Sequence, residues 1–260
     1  MEEAVVLYEK IGQIAKITLN RPKALNAMNG ELVQSLASRL AEAEKDTDVR
    51  VIVLTGAGKG FCAGGDLSYL KQLTNVIEAR GFITEVGALV SQIQSIAKPI
   101  IAMVNGVAAG AGFNLAIACD IVFAADTARF AQSFVKVGLV PDCGGMYLLP
   151  KIVGIHKAKE LMFTADLIGV DKANELGLIN RIVAGDKLEE ETLAFANKLI
   201  ASAPIALGMV KKTLNGMEDM TLDNWLLHEA DIQTLCMQTE DHKEGIAAFL
   251  EKRAPKFLNK

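Results

Sequence analysis

Residues 103–120, MVNGVAAGAGFNLAIACD, constrain what this chain can fold into more than any other stretch. The apolar run Ile100 to Val104 before and within it reads as a buried strand. Asn105-Gly106 ends that strand with a turn dipeptide. Small residues follow, Val107-Ala108-Ala109-Gly110-Ala111-Gly112, and Asn114 to Ala118 is helix-forming. A strand thus delivers the chain into a bend nearly free of side chains that opens a helix. Such a bend lets a ligand approach the backbone, and a helix N-terminus presents unpaired N–H groups and partial positive charge. It can hold an anion or a developing oxyanion. It can equally be a helix packed tightly on its neighbours through Ala and Gly, and the stretch alone leaves both readings open.

The bend at Gly56 to Asp66, GAGKGFCAGGD, has the same form after the apolar strand Val51 to Thr55. Asp66 is placed to cap a helix starting near Leu67. Two glycine bends after strands invite a nucleotide fold, but neither fits one. Lys59 is followed by Gly60, so the Ser/Thr of a P-loop is missing. Leu115 stands where a dinucleotide fingerprint needs its third glycine.

Taken in order, Ala4 to Tyr8 and Ile11 to Leu19 read as two strands with a hairpin turn at Glu9-Lys10-Ile11-Gly12. A loop over 20–27 leads into a helix over 28–44, and a second helix is expected over 76–97. Asp120 to Ala125 and Arg129 to Ala131 are the next strands. Phe134 to Leu139 fits a short helix or strand, and a third loop, Val140-Pro141-Asp142-Cys143-Gly144-Gly145, leads into a helix over 146–153. Strand, strand, helix recurs in one sense, which predicts an α/β spiral of ββα turns with covered sheets. After Ile155 the pattern is mostly helical, over 156–163, 170–176, 188–201, 204–217, 222–239 and 242–252, with a short strand over 178–183. The helix carrying Trp225 is very apolar; core packing is its first reading and a subunit interface its second.

Composition closes off several classes. With 260 residues, 51% hydrophobic and 22% charged, the chain is globular. Its net charge of −4 has no basic stripe, which argues against nucleic acid as a partner. Cys62, Cys119, Cys143 and Cys236 form no CxxC pair, so neither a zinc site nor a disulfide framework is expected, and each reads as a small buried hydrophobe in a reducing cytoplasm. No apolar run reaches membrane-span length and the acidic start is not a secretory signal, so no membrane partner is expected. His156, His228 and His242 sit on helices away from any nucleophile elbow, and Cys143 has no base placed for it.

The two bends share one feature: main-chain N–H groups at Gly65-Asp66 and Ala111-Gly112, which together would make an oxyanion hole if they converged. FCAGGDL at 61–67, NGVAAGAGFNLAIACDI at 105–121 and VGLVPDCGG at 137–145 resemble the crotonase (enoyl-CoA hydratase/isomerase) superfamily. NRPKALNAM at 20–28, LGLINRIV at 176–183 and FLEKR at 249–253 extend the resemblance over almost the whole chain. It implies a crotonase-like ββα spiral core over 1–195, and a helical C-terminal trimerisation region over 196–260 that assembles trimers or hexamers. It also implies that Gly65 and Ala111 hold the thioester oxygen of an acyl-CoA. Lys23, Ala24, Leu25, Ala63, Gly65, Asp66, Leu67, Gly110 and Phe134 would bind CoA or substrate. The acyl-CoA is the substrate and no separate cofactor is implied.

The chain departs from the hydratase pattern. The resemblance places two glutamates where Asn114 and Phe134 stand. Asn cannot move a proton at neutral pH, and Phe134 dries the pocket. One carboxylate remains, Asp142, which reads first as an N-cap before Gly144-Gly145 when the residues are taken alone and as catalytic by the resemblance. Asn114 with Asp142 and no glutamate at 134 resembles the 1,2-epoxyphenylacetyl-CoA isomerase and enoyl-CoA isomerase branch. The expectation is an acyl-CoA isomerase using Asp142 as acid/base, with Asn114 positioning Asp142, a substrate group or a water by hydrogen bonds. The rivals are an enoyl-CoA hydratase and a non-catalytic CoA-binding subunit.

Overall fold

A computed structural model describes residues 4–216 and 221–260. Its elements are β1 (Val6–Ile11), β2 (Ile14–Leu19), α1 (Gly30–Lys45), β3 (Val51–Gly56), β4 (Gly60–Cys62), α2 (Leu67–Leu70) and α3 (Val76–Ser95). Then come β5 (Ile100–Val104), β6 (Val107–Ala109), α4 (Ala111–Ala118), β7 (Ile121–Ala125), β8 (Arg129–Ala131), α5 (Gly145–Val153) and α6 (Ile155–Thr164). The last are β9 (Ile168–Gly169), α7 (Val170–Glu175), β10 (Arg181–Val183), α8 (Leu188–Ile200), α9 (Pro204–Asn215), α10 (Leu222–Met237) and α11 (Glu240–Leu250).

The strands build two sheets. One has the order β1-β2-β3-β5-β7-β10 and the other β4-β6-β8-β9. Each of the pairs β3/β4, β5/β6 and β7/β8 gives one strand to each sheet before its helical segment. That is the expected ββα spiral. From β2 onward the larger sheet is parallel, with Ile52 opposite Ile100 and Ile101 opposite Ile121. Its strands are apolar on both faces because both are covered. Ile52, Leu54, Ile100, Ala102 and Val104 face the main core with α1 and α3. Val51, Val53, Ile101, Met103 and Phe123 pack against Leu188 and Ala196 of α8. That helix runs across residues 195 and 196.

The short second strands are what the sequence reading merged into bends. Residues 107–109 form β6 and residues 60–62 form β4, although their small residues carry little strand propensity. Tight backbone approach explains it. A Cβ on Gly106 would lie 2.1 Å from the Lys59 carbonyl oxygen, and one on Gly112 would lie 2.1 Å from that of Cys62. The first hairpin turns at Gly12-Gln13 rather than over 9–12, because Gly12 takes the left-handed conformation (φ +58°) and β1 runs on to Ile11.

Other boundaries moved modestly. The helix expected over 76–97 ends at Ser95, before Lys98-Pro99. Residues 133–137 form a 3-10 helix, and the strand near 178–183 is confined to Arg181–Val183. Residue 217 of the helix expected over 204–217 lies outside the described residues. The core-packing reading of the Trp225 helix is wrong: no residue of α10 is buried, and Leu222, Leu226, Leu227 and Leu235 are all exposed. Among the described residues, no single helix is long and apolar enough to cross a membrane.

Candidate active site

The start of α4 and the end of β4 meet in backbone contact. Gly64 (φ +100°) has no room for a side chain: a Cβ there would lie 2.9 Å from the Ala109 carbonyl oxygen and 3.4 Å from the Ala111 nitrogen. Gly110 (φ +52°) turns the chain into α4, and its N–H donates to Ala131 of β8 at 2.8 Å. Ala111 is the first residue of α4, so its N–H has no acceptor within the helix. Gly65 forms a parallel bridge with Met28, in which Met28 donates to Gly64 and Asp66 donates to Met28. In a parallel bridge the flanking residues carry the bonds, so the N–H of Gly65 itself is turned away from Met28.

Gly65 and Ala111 both line a cavity of about 410 Å³. Ala63, Leu67, Gly110 and Phe134 line it too. The opposite wall is apolar: Leu70 at the end of α2, Leu73 after it, then Ala79, Phe82, Ile83 and Val86 on one face of α3. Tyr69 braces that wall edge-on against Phe82, with ring centroids 5.0 Å apart. These α3 residues were missed as site residues in the sequence reading, although their i, i+3, i+4, i+7 spacing marks them as one face.

Lys23, Ala24 and Leu25 do not line the cavity. They form a 3-10 turn beside it, where the Leu25 carbonyl accepts the N–H of Ala63 at 3.0 Å. Asp66 is occupied elsewhere. Its carboxylate caps α2 through Ser68 and Tyr69 and takes the Arg21 guanidinium at 2.9 Å. Burial works to raise its pKa, but the Arg21 hydrogen bond and the capping N–H groups together hold it below the usual range. Arg21 thus adds a side-chain tie between the loop over 20–27 and the glycine bend to the main-chain bonds of Leu25 and Met28, a role no sequence motif announced.

Asp142 lines the cavity from the third loop and is the one carboxylate among its lining residues. Burial pushes its pKa up to about 6, against a weaker lowering by a backbone hydrogen bond. Its Oδ1 is buried without a hydrogen-bond partner. The N-cap reading fails on geometry: Gly144 is the N-cap of α5 and no side chain caps that helix. Asn114 is fully buried and lies outside the cavity lining. Its Nδ2 donates to the main-chain carbonyl of Asp142 at 2.8 Å, and its Oδ1 accepts from Gln132 Nε2 at 2.7 Å. The structure thus places Asn114 behind Asp142, bonded to its main chain and outside the cavity lining. Gln132 also escaped the sequence reading, being a lone amide between a strand and Ser133-Phe134.

The remaining candidates fall away from the site. None of the three histidines lines the cavity. Cys62, Cys119 and Cys143 are buried, as expected, and Cys236 is only half-buried. Burial, with the Asp142 carboxylate beside it, holds the Cys143 thiol well above its ordinary pKa, so it offers no thiolate.

Two main-chain N–H groups left free by their own elements and one desolvated carboxyl on an apolar cavity suit acid–base chemistry at a polarised carbonyl. The family model for enoyl-CoA hydratase/isomerase matches residues 9–260, and the chain belongs to that family. It is 39% identical to a short-chain-enoyl-CoA hydratase of Clostridium acetobutylicum, over 97% of each chain. It is also 39% identical to a 1,2-epoxyphenylacetyl-CoA isomerase of Escherichia coli, over 95% of each. The crystal structure of an enoyl-CoA hydratase from Bacillus anthracis superposes with a TM-score of 0.94 at 31% identity, covering 98% of this chain and 100% of that one.

Proposed function

We propose that this chain is an acyl-CoA isomerase that shifts a double bond, or isomerises a ring epoxide, through an enolate held by the N–H groups of Gly65 and Ala111. The observation that carries the reading is that Asp142 is, among the described residues, the sole carboxylate lining the cavity. On a 3-enoyl thioester, Asp142 takes a proton from C2. The electron pair of that bond delocalises onto the thioester oxygen, where the two N–H groups stabilise it. Asp142 then returns the proton at C4, leaving the double bond between C2 and C3. One carboxyl suffices, and the reaction needs no cofactor besides the CoA carried by the substrate. A carboxyl poised near 6 is suited to both halves of the transfer.

Hydration needs a second group to activate water. The positions where the resemblance puts glutamates hold Asn114, whose amide is spent on Gln132 and Asp142, and Phe134, which lines the cavity with a ring. The hydratase reading keeps one observation in its favour, the equal identity to a short-chain-enoyl-CoA hydratase. A product assay on 3-enoyl-CoA, 2-enoyl-CoA and aromatic epoxide thioesters separates the two. Isomerised products lost in Asp142→Asn support the proposal; rapid hydration of crotonyl-CoA overturns it, and tight binding without turnover favours a CoA-binding subunit.

We assign residues 1–195 to catalysis and residues 196–260 to assembly into a homotrimer or homohexamer. The exposed leucines of α10 support that assignment.

A further inference from the structure

We propose that Gln132 is a positioning residue for proton transfer: with Asn114 it forms a buried amide relay whose task is to hold the main chain of Asp142. The proposal rests on Asp142 acting as the acid/base.

The relay joins three segments that the spiral brings together. Gln132 follows β8, Asn114 lies in the first turn of α4, and Asp142 lies in the loop before α5. Gln132 is 1% exposed and Asn114 is 0% exposed. Gln132 Nε2 donates to Asn114 Oδ1 at 2.7 Å, and Asn114 Nδ2 donates to the Asp142 carbonyl at 2.8 Å. That carbonyl also accepts the N–H of Gly145 at 2.9 Å. Space is closed around the relay: a Cβ on Gly145 would lie 2.2 Å from Asn114 Nδ2.

The direction of the relay is fixed by its last member. A main-chain carbonyl can only accept. Residue 114 must therefore donate to it, which turns the Asn114 oxygen toward residue 132, which must donate in turn. A carboxylate at 114 would set two acceptors face to face. The relay thus requires a donor at both places, which an amide at 114 supplies while also accepting from Gln132, and an ionised carboxylate at 114 would break it. Packing alone does not account for Gln132. Its Oε1 is buried with no partner, a destabilising arrangement that an apolar side chain of similar size would avoid. Natural chains tolerate such losses where function needs the geometry.

The test compares Gln132→Leu and Gln132→Met with the parent, since neither can donate and Met also matches Gln in length. Three quantities are measured: kcat and KM on a 3-enoyl-CoA, the melting temperature, and the midpoint of the Asp142 carboxyl by 13C NMR. The expected result is a fall in kcat of roughly tenfold or more, KM within about twofold, a carboxyl midpoint below the parent's, and a melting temperature within a few degrees of the parent's, because removing the unpaired Gln132 Oε1 offsets the donor that Asn114 Oδ1 loses. The midpoint falls because a loosened loop lets water reach the carboxyl. A folded variant with unchanged kcat and midpoint overturns the proposal. If Gln132→Leu does not fold, Gln132→Met alone decides by the same criteria. The two claims fail separately. Activity retained in Asp142→Asn sinks the isomerase reading while the NMR midpoint still tests the relay. Loss in Asp142→Asn with no change in either Gln132 variant sinks the relay alone.

Discussion

The side-chain nitrogen of Asn114 donates to the main-chain carbonyl of Asp142 at 2.8 Å, so the residue standing in a glutamate's place serves as a support. Asn114→Asp keeps the size but replaces that donor with an acceptor. Two oxygens then face each other in a fully buried site. Leaving a buried acceptor unpaired costs about 1–3 kcal/mol, and more when a charge is involved. The expected melting temperature is lower by roughly 5–10 °C, with no gain in crotonyl-CoA hydration. Thermal denaturation and a hydration assay check this; an undiminished melting temperature contradicts the bond's assigned importance.

Asp142 has opposite effects on stability and on rate as pH changes. Burial raises its pKa to about 6, above the ~3.9 of an unfolded aspartate. Between those values the folded chain keeps a proton that the unfolded chain has released. The stability tied to this group is thus full below about 4, falls as pH rises through about 6, and is level beyond. Asp142→Asn lacks that fall, so from about pH 4 to 7 its stability should gain on the parent by up to about 3 kcal/mol. The proton-abstracting form is the ionised one, so kcat/KM of the parent should climb through about 6. The variant should stay flat and roughly 10²–10⁴ lower. Denaturant titrations at several pH values test the first claim and a pH–rate profile the second.

Much of this was legible in the sequence because it rests on local chemistry. The strand over 100–104 and the cap by Asp66 follow from short apolar runs and one carboxylate before a helix, and both appear as expected. What was not legible depends on backbones meeting across the fold. β4 and β6 each hold one strand former, Phe61 and Val107, among small residues, too short a signal to read; Gly106 and Gly112 let neighbouring carbonyls within 2.1 Å of where a Cβ would sit, and pairing follows. Gln132 and Arg21 act through partners 18 and 45 residues away, which no window of sequence reveals. α10 misled for a different reason, since an apolar helix looks the same whether a core or another chain covers it.

Gly64 sets the separation of the two donor-bearing segments. Gly64→Ala puts a Cβ 2.9 Å from the Ala109 carbonyl oxygen and asks a side chain to adopt φ +100°. The bend must shift away from α4, and with it the N–H of Gly65. Losing one such donor typically costs ~2.7–4 kcal/mol of transition-state stabilisation. The expected outcome is a kcat lower by about 10²–10³ on a 3-enoyl-CoA, with the acyl-CoA still bound. Steady-state kinetics beside calorimetric binding checks it. A Gly64→Ala protein of normal kcat means that the oxyanion does not sit between these segments.

The last expectation concerns α10, whose Leu222, Leu226, Leu227 and Leu235 are 70%, 52%, 66% and 58% exposed. The Trp225 indole already donates to Glu229 on the same helix at 2.9 Å, so its polar end is satisfied without a partner. Its leucines are not: four of them in contact with water favour association by roughly 1.5–3 kcal/mol each when buried. Leu227→Glu puts a charge where a second chain would sit, which such an interface does not tolerate unpaired. Light scattering behind size exclusion should show a multiple of the single-chain mass for the parent and a lower mass for Leu227→Glu. The circular dichroism of the variant should stay unchanged, because no residue of α10 is buried within its own chain. A parent protein with single-chain mass at micromolar concentration removes assembly as the role of this helix.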